Sequence, residues 1–363
     1  MRTRRSAIIL ILFLTAINGL MALDGYYRYP AVSGDTVVFS AEGDLFRIDL
    51  GSEPPLAAVR LTTHPGGEWR AAISPDGGTV AFTGTYEGPA EVYTMPVTGG
   101  LPVRRTWHGD NARVIGWKED GVLVYATQRY TTLPGWHLVT LDIASGEQNR
   151  VPLFDAADGA WDDAGAVYFT RYRFQGSHTK RYKGGTAQSI WKFTPGAGEA
   201  VPLTSDYPGT DHRPMWWNGR IWFRSDRDGT MNLWSMKPDG SDKRQHTEHE
   251  GLDVKDPSLG SGKIVYQVGA DLWLYDIAAG ETAMLQIELP SDFDQMRERW
   301  ITEPMDWMTA ANLSPDGEKL VLTARGQLFV VPAKGGRLVE LTRRDAVRYR
   351  QGRMLPDGET VLA

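Results

Sequence analysis

Along most of the chain, short runs of alternating apolar and polar residues recur in pairs, and a polar turn joins the two runs of each pair. Such runs are typical of half-buried β-strands, and a short turn between two of them predicts a hairpin. The first strands of seven hairpins begin at Thr36, Thr79, Val122, Ala166, Arg220, Lys263 and Lys319. Their partner strands are rich in aromatic residues and begin at Asp44, Glu91, Trp136, Ser189, Asn232, Asp271 and Gln327. The pattern therefore predicts an all-β protein built from repeats of one hairpin.

The hairpins recur at a nearly constant interval. Their marker residues lie 43, 43, 44, 54, 43 and 56 residues apart and are Phe39, Phe82, Tyr125, Phe169, Phe223, Tyr266 and Leu322. A period near 43 residues is that of one four-stranded blade of a β-propeller. The turn Ser-Pro-Asp-Gly at 74–77 recurs at 314–317, and it is typical of such hairpins because proline fixes φ at one corner and glycine supplies a positive φ. We therefore predict a six-bladed β-propeller followed by the start of a second one, with blades of the TolB and WD40 kind.

Two longer intervals predict how the chain is divided. The 54-residue interval contains extra residues at 171–186, between the two central strands of the fourth blade, where they form a loop. The 56-residue interval follows a predicted outer strand at 283–289 and precedes a new blade. We place the first propeller at 26–290, closed by six complete blades that share no strand between the two ends of the domain. Residues 291–363 then form the first blade and part of the second blade of another propeller, and because a ring cannot be stable with open strand edges, we expect the chain to be the front part of a longer protein.

Residues 1–22 differ in composition from the rest of the chain. Arg2, Arg4 and Arg5 precede an apolar stretch from Ala7 to Ile17, which is the pattern of a secretory signal peptide. A membrane helix needs roughly 20 apolar residues, so this stretch predicts a cleaved signal, with a retained anchor as the alternative. The expected location is the periplasm, without a stable membrane span after cleavage, and the cytoplasm is the second choice.

Charge and composition limit the classes of molecule that the chain is expected to bind. The chain carries 39 basic and 45 acidic side chains, a net charge of -6, and it has no cysteine. Nucleic-acid binding depends on clustered Lys and Arg, so an acidic chain argues against that partner class. The absence of cysteine excludes disulfides and thiolate metal sites. We expect polypeptide or small-molecule partners.

Several segments resemble the N-terminal region of tricorn-type serine peptidases. They include Gly-Tyr-Tyr-Arg-Tyr-Pro at 25–30, Phe-Arg-Ser-Asp-Arg-Asp-Gly-Thr-Met-Asn-Leu-Trp at 223–234 and further stretches at 34–46, 181–191 and 325–333. The similarity covers residues 25–363. It implies a six-bladed propeller, a seven-bladed propeller, a PDZ-like domain and a catalytic core that degrades peptides delivered by other proteases. It also implies that the propellers act as axial filters for unfolded peptides and that the full chain forms a homo-hexamer. The signal sequence departs from this family pattern.

No chemistry is assigned to residues of this chain. The catalytic groups implied by the resemblance lie beyond Ala363, and the Gly-x-Ser-x-Gly elbow and the Gly-Lys-Ser/Thr phosphate loop are both absent. The run His249-Glu-Gly-Leu-Asp253 is not a zinc-binding helix, because an aspartate stands where the second histidine is needed. We predict no catalytic, cofactor-binding or metal-binding residue, and no peptidase activity for the chain alone.

The blade-four insertion is the one candidate contact site, and the alternative is a solvated loop. Its basic residues could contact a peptide or another subunit, and they are Arg171, Arg173, His178, Lys180, Arg181 and Lys183. Trp216, Trp217, Trp300 and Trp307 stand in less regular segments and are candidates for exposure or for packing between the two propellers. Two other function classes stay open: a periplasmic TolB-like propeller that acts as a protein-binding scaffold without enzymatic activity, and a relative of prolyl oligopeptidase with a hydrolase domain downstream.

Overall fold

A computed structural model describes residues 25–132, 135–172, 180–291, 303–341, 344 and 347–363. The chain divides into two compact units between Asp292 and Phe293, and each is described by itself. Apart from one turn of 3-10 helix at Pro304–Trp307, the regular structure of the described residues is entirely β-strand, which confirms the all-β prediction. In these residues no helix is long and apolar enough to cross a membrane. The predicted signal peptide at 1–22 lies outside them.

In its described residues, the first unit contains six antiparallel sheets of four strands each, numbered here in chain order. Sheet 1 consists of β1 (Arg28–Ser33), β2 (Thr36–Ala41), β3 (Asp44–Asp49) and β5 (Val59–Arg60), with β4 (Leu56–Ala57) between the last two in sequence. Sheet 2 consists of β6 (Glu68–Ile73), β7 (Thr79–Gly84), β8 (Glu91–Pro96) and β9 (Val103–Arg104). Sheet 3 consists of β10 (Ala112–Glu119), β11 (Val122–Thr127), β12 (His137–Asp142) and β13 (Gln148–Arg150).

The second half of the unit repeats this order. Sheet 4 consists of β14 (Asp158–Trp161), β15 (Val167–Thr170), β16 (Ile190–Phe193) and β17 (Val201–Pro202). Sheet 5 consists of β18 (Asp211–Trp217), β19 (Arg220–Ser225), β20 (Asn232–Met236) and β21 (Arg244–Gln245). Sheet 6 consists of β22 (Val254–Gly260), β23 (Lys263–Val268), β24 (Asp271–Asp276) and β25 (Glu281–Met284), followed by β26 (Ile287–Glu288). In each sheet the strand order follows the sequence, so the two predicted hairpin strands form the centre of the blade.

The six sheets are arranged in a ring. The first strand of every sheet contacts the first strand of the next sheet, and β22 contacts β1 in turn. We call β1, β6, β10, β14, β18 and β22 the inner strands. The apolar core lies between neighbouring sheets: Phe39 and Phe46 of sheet 1 pack with Val265 and Leu272 of sheet 6, and all four are fully buried. This radial arrangement is a β-propeller.

The two ends of the first unit are joined by a strand pair that the sequence did not predict. The predicted outer strand at 283–289 ends at Met284, and the following β26 leaves sheet 6 and pairs in parallel with β4 beside sheet 1. Backbone N–H groups of Leu56 and Ala58 donate to the carbonyl oxygens of Gln286 and Glu288 at 2.7 and 2.9 Å. The four-stranded sheets do not mix the two ends of the unit, as predicted. The parallel pair of β26 and β4 was not predicted, and its backbone hydrogen bonds join the two ends of the unit at the seam between sheet 6 and sheet 1.

The second unit contains, in its described residues, one four-stranded sheet and one two-stranded sheet. Their strands are β27 (Met308–Leu313), β28 (Lys319–Ala324), β29 (Gln327–Pro332), β30 (Val339–Glu340), β31 (Arg353–Met354) and β32 (Val361–Leu362). That this unit begins a second, seven-bladed propeller stays a prediction.

Candidate functional site

The inner strands enclose a cavity of about 340 Å³ on the axis of the first unit. Much of its wall consists of small residues, which bring the backbones of neighbouring inner strands close to the axis; among them are Ala71, Ala72, Gly116, Gly159, Ala160 and Gly260. Residues of all six inner strands contribute to the lining. The cavity is therefore a product of ring closure and belongs to no single blade.

Four tryptophans border this cavity: Trp117, Trp161, Trp216 and Trp217. The indole N–H of Trp117 donates to the carbonyl oxygen of Ala72 at 3.0 Å, which ties sheet 3 to sheet 2 at the cavity wall. The ring of Trp216 stacks on Tyr168 of sheet 4, with 5.7 Å between the centroids. The prediction that Trp216 and Trp217 stand in an irregular segment was wrong, since both belong to the inner strand β18.

Irregularities in the inner strands explain why that prediction failed. The ladders to the second strands shift register in β1, β6, β18 and β22, and each shift contains one non-glycine residue with positive φ. These residues are Tyr29, Arg70, Arg213 and Asp256, with φ between 43° and 59°. A left-handed backbone is unfavourable for residues with a Cβ, at about 1 kcal/mol or more each. An inserted residue also breaks the alternation of inward and outward side chains, so the inner strands are hard to recognise from pattern alone.

Arg213 reaches across the axis. Its side chain donates from Nε to the carbonyl oxygen of Pro257 and from Nη2 to that of Ile115, both at 3.4 Å, and it lines the cavity. Its backbone N–H donates to Oδ2 of Asp158 at 3.2 Å. The side chain therefore spans sheets 3 and 6 from its position in sheet 5. Burial lowers the pKa of Arg213, and the positive charge of Arg70 lowers it further.

The charges around Arg213 form what we call the axial cluster: Arg70, Arg213, Arg224, Asp158 and Asp256. Burial lowers the pKa of Arg224 to about 10, with Asp256 acting in the opposite direction, so this guanidinium remains protonated at neutral pH. The neighbouring His212 is buried and accepts a hydrogen bond from Arg224. Burial lowers the pKa of His212 well below its ordinary value, and Arg224, Arg213 and Arg70 act in the same direction, so this imidazole is neutral.

The predicted basic insertion only partly lies within the described residues; Arg173 and His178 are outside them. Lys180 donates to the carbonyl oxygen of Gly251 at 3.0 Å and its ammonium lies 3.4 Å from Asp253. These contacts join the end of the insertion to the loop between sheets 5 and 6.

The other described basic residues of the insertion have separate surroundings. Arg181 donates to the carbonyl oxygen of Gly229 at 2.7 Å, Arg171 lies 5.2 Å from the ring centre of Trp191, and Lys183 is exposed. A contact between this insertion and a peptide or another subunit stays a prediction. In the described part of the chain, no cluster of three or more His, Asp or Glu side chains is arranged to hold a metal ion.

Sequence reasoning missed the axial cluster entirely. Arg70, Arg213 and Asp256 belong to three different repeats, and no local motif connects them. The one available signal was a proline after a polar residue inside a strand, which occurs at Pro214 and Pro257 and is typical of a bulge.

Comparison with known proteins identifies the family. Residues 24–281 match the family model described as "Tricorn protease N-terminal beta propeller domain". The match covers more than half of the chain, and the chain therefore belongs to this propeller family. This agrees with the resemblance found in the sequence.

Individual relatives extend the likeness beyond the first unit. The chain is 28% identical over 345 residues to "Tricorn protease homolog" of Saccharolobus solfataricus and 30% identical over 345 residues to "Tricorn protease homolog 1" of Streptomyces coelicolor. Each match covers 93% of this chain but 31% and 32% of the relative. A solved structure, "Crystal structure of the tricorn protease", superposes with a TM-score of 0.70 at 23% identity over 90% of this chain and 32% of its own, which shows a shared fold. The chain thus spans about a third of the proteins it resembles.

Proposed function

We propose that this chain is the gating region of a larger tricorn-like serine peptidase and that peptides pass through the axial cavity of the first unit. The observation that carries the proposal is an axial cavity, lined by all six inner strands, in a chain of the tricorn propeller family. A cavity whose wall is polar and apolar in about equal parts, and includes four tryptophans, is suited to an extended peptide, whose side chains vary while its backbone does not. The chemistry belongs to a catalytic core outside these 363 residues, and the chain alone has no peptidase activity.

The passage is tested by narrowing the cavity. In the full-length peptidase, Ala160→Trp adds a large side chain to the cavity wall, whereas Val201→Trp adds one on the exposed outer strand of the same sheet. We expect the first variant to lower kcat/KM for peptides of ten or more residues, and the second to leave it unchanged. Equal kinetics for both variants, with both folded by circular dichroism, would overturn passage through this cavity.

The inactivity of the isolated chain has a separate test. The purified 363-residue chain is incubated with fluorogenic peptides, and no release of fluorophore is expected. Hydrolysis that persists after a second chromatographic step and tracks with the protein peak would contradict the assignment of chemistry to another part of the peptidase.

Assembly and location are part of the same proposal. We infer a homo-hexamer for the full-length protein, and export with removal of residues 1–22. Light scattering of the full-length protein measures the number of subunits, and N-terminal sequencing of protein from the periplasmic fraction identifies the mature end. A monomer, or a cytoplasmic protein that begins at Met1, would contradict these two points respectively.

A further inference from the structure

We propose that Arg213 is a movable bar across one end of the axial cavity, and that a peptide passes only when this side chain swings aside. The inference rests on the proposed function and deepens it, because it names the residue that controls passage along the axis. The arrangement of Arg213 described above is then the closed state.

The cavity is open at the end where the inner strands finish. Its lining begins inside each inner strand and continues toward the turn that follows the strand. Pro75 and Ser261 belong to two of these turns, and both line the cavity and are exposed to solvent. The opposite end is marked by the first lining residue of each inner strand, and these residues are Val32, Ala71, Ile115, Gly159, Arg213 and Pro257.

The side chain of Arg213 crosses this opposite end. Its two hydrogen bonds go to the carbonyl oxygens of Ile115 and Pro257, which are the first lining residues of β10 and β22. The side chain thus joins three of the six inner strands at one level, and it extends past sheet 4 to reach sheet 3. Among the lining residues that the structure describes, Arg213 is the only charged one. A long cationic side chain at this level obstructs the axis.

The base of the bar is fixed by a bulge. Arg213 and Pro214 have no partner in the ladder between β18 and β19, where the register shifts. Instead, the backbone N–H of Arg213 donates to Oδ2 of Asp158 at 3.2 Å, and the φ of Arg213 is 59°. A residue with a Cβ keeps such a conformation only where its surroundings impose it. The bulge therefore aims the side chain at the axis and holds its backbone in place.

The far end of the bar is held weakly. Both of its hydrogen bonds are 3.4 Å long, beyond the usual range of about 2.7 to 3.2 Å, and both acceptors are neutral. By contrast, Arg224 donates to the carbonyl oxygen of Val254 at 2.7 Å. Burial lowers the pKa of Arg213, and the charge of Arg70 acts in the same direction, so the closed position is unfavourable for the cation. Movement into the solvent-filled cavity relieves this cost.

The first test measures the mobility of the bar in the 363-residue chain. In protein with isotope-labelled arginine, NMR measures how fast each Nε–H proton exchanges with water, and Arg213→Lys and Arg224→Lys assign the two signals. We expect the Nε–H of Arg213 to exchange at least about tenfold faster than that of Arg224, because a weakly held group opens more often. Equal protection of the two groups would overturn a movable bar.

The second test measures passage in the full-length peptidase with a fluorogenic tripeptide and a fluorogenic peptide of about twelve residues, an extended chain that must thread the axis. The readout is the ratio of kcat/KM for the longer peptide to kcat/KM for the tripeptide, which does not depend on the fraction of folded enzyme. Arg213→Ala removes the bar, and we expect this ratio to rise at least about threefold, as for other steps limited by opening. Arg244→Ala removes an exposed guanidinium of sheet 5 and should leave the ratio unchanged.

Arg213→Lys separates the bar from its charge. The single ammonium group keeps the charge but cannot bridge carbonyl groups on two separate strands, so we expect the ratio to rise as in Arg213→Ala. A ratio equal to that of the wild type in Arg213→Lys would show that charge alone controls passage and would overturn the bar. If Arg213→Ala does not fold, Arg213→Lys carries the same comparison.

Comparison with Ala160→Trp separates this inference from the proposed function. If Ala160→Trp lowers kcat/KM for the longer peptide and Arg213→Ala leaves the ratio unchanged, passage stands and the bar is overturned. If neither variant changes the kinetics, passage is overturned and the bar with it. A ratio that falls in Arg213→Ala would show that Arg213 assists passage, and this result would also overturn the bar.

Discussion

Glu68 makes the stability of the first unit depend on pH in a direction that is unusual for a carboxylate. It begins the inner strand β6 and is 3% exposed. It accepts hydrogen bonds from the hydroxyls of Thr62 and Tyr86 and, at 3.1 Å, from the backbone N–H of Leu45. Burial raises its pKa from an ordinary 4.5 to about 7, although these hydrogen bonds act in the opposite direction.

The direction of this pH dependence follows from the linkage between proton binding and folding. A carboxyl group with a raised pKa binds its proton more tightly in the folded protein than in the unfolded chain. Its contribution to the free energy of unfolding is therefore most favourable below pH 4.5 and is lost as the pH rises to about 7. The difference between 4.5 and about 7, at about 1.4 kcal/mol per pKa unit, gives about 3 kcal/mol. The window is therefore pH 4.5 to 7, and above it the loss is complete.

The perturbation is Glu68→Gln. The amide keeps the shape of the protonated acid: its oxygen accepts from Thr62 and Leu45, and its NH2 group donates to the oxygen of Tyr86. The variant cannot ionise, so the free energy of unfolding of variant minus wild type should increase by about 3 kcal/mol between pH 4.5 and pH 8.

Urea unfolding followed by tryptophan fluorescence measures this difference across the pH range. The difference between two proteins is needed because burial lowers the pKa of His246 to about 4 and that of His249 as well, and these groups make stability rise with pH in part of the same window. The control is Glu91→Gln, since Glu91 is buried and also accepts from a threonine, but it forms an ion pair with Arg104 at 3.2 Å. That variant should be less stable than wild type across the range. A Glu68→Gln difference that is constant within about 0.5 kcal/mol from pH 4.5 to 8 would refute the reasoning from burial.

Three further predictions concern the ring itself. Gly260→Ala places a Cβ 2.1 Å from a backbone oxygen of the neighbouring inner strand β1, so we expect urea unfolding to show a loss of at least about 2 kcal/mol in the free energy of unfolding. The control is Gly116→Ala in β10, whose Cβ meets no atom within 4 Å and should be tolerated. Equal effects of the two variants would contradict close packing between sheets 6 and 1. Arg227→Met leaves the buried carboxylate of Asp211 without its ion-pair partner. Calorimetry should show a lowered Tm that corresponds to a loss of about 3 kcal/mol in the free energy of unfolding. An unchanged Tm would show that the ion pair does not contribute to the stability of the fold. Lys180→Ala removes an exposed ion pair and should change stability by less than about 1 kcal/mol, so a larger loss would mean that the insertion is part of the folded core.

The hairpins were predictable because each is specified locally. Strand β2 begins at Thr36 and β3 at Asp44, as the sequence pattern predicted, and the same holds for β7, β19 and β23 with their partners. In these strands a run of apolar residues is buried between two sheets, and the turn that follows fixes the register. Outer strands were predicted less well: the strand predicted at 283–289 is β25 (Glu281–Met284), and the separate β26 follows it. An outer strand is solvated along one edge, so burial does not impose an apolar pattern on it.

The sequence by itself determined the repeat, its period of about 43 residues and hence the blade, since these depend on interactions within a few dozen residues. Only the tertiary structure decided which side chains come together at the axis and which strands pair at the seam between sheets 6 and 1. Arg213 reaches the carbonyl oxygens of Ile115 and Pro257 through ring closure, and β26 pairs with β4 across more than 200 residues of chain. Side chains that converge from separate repeats share no sequence motif, and the bulges that aim them break the very alternation by which strands are recognised.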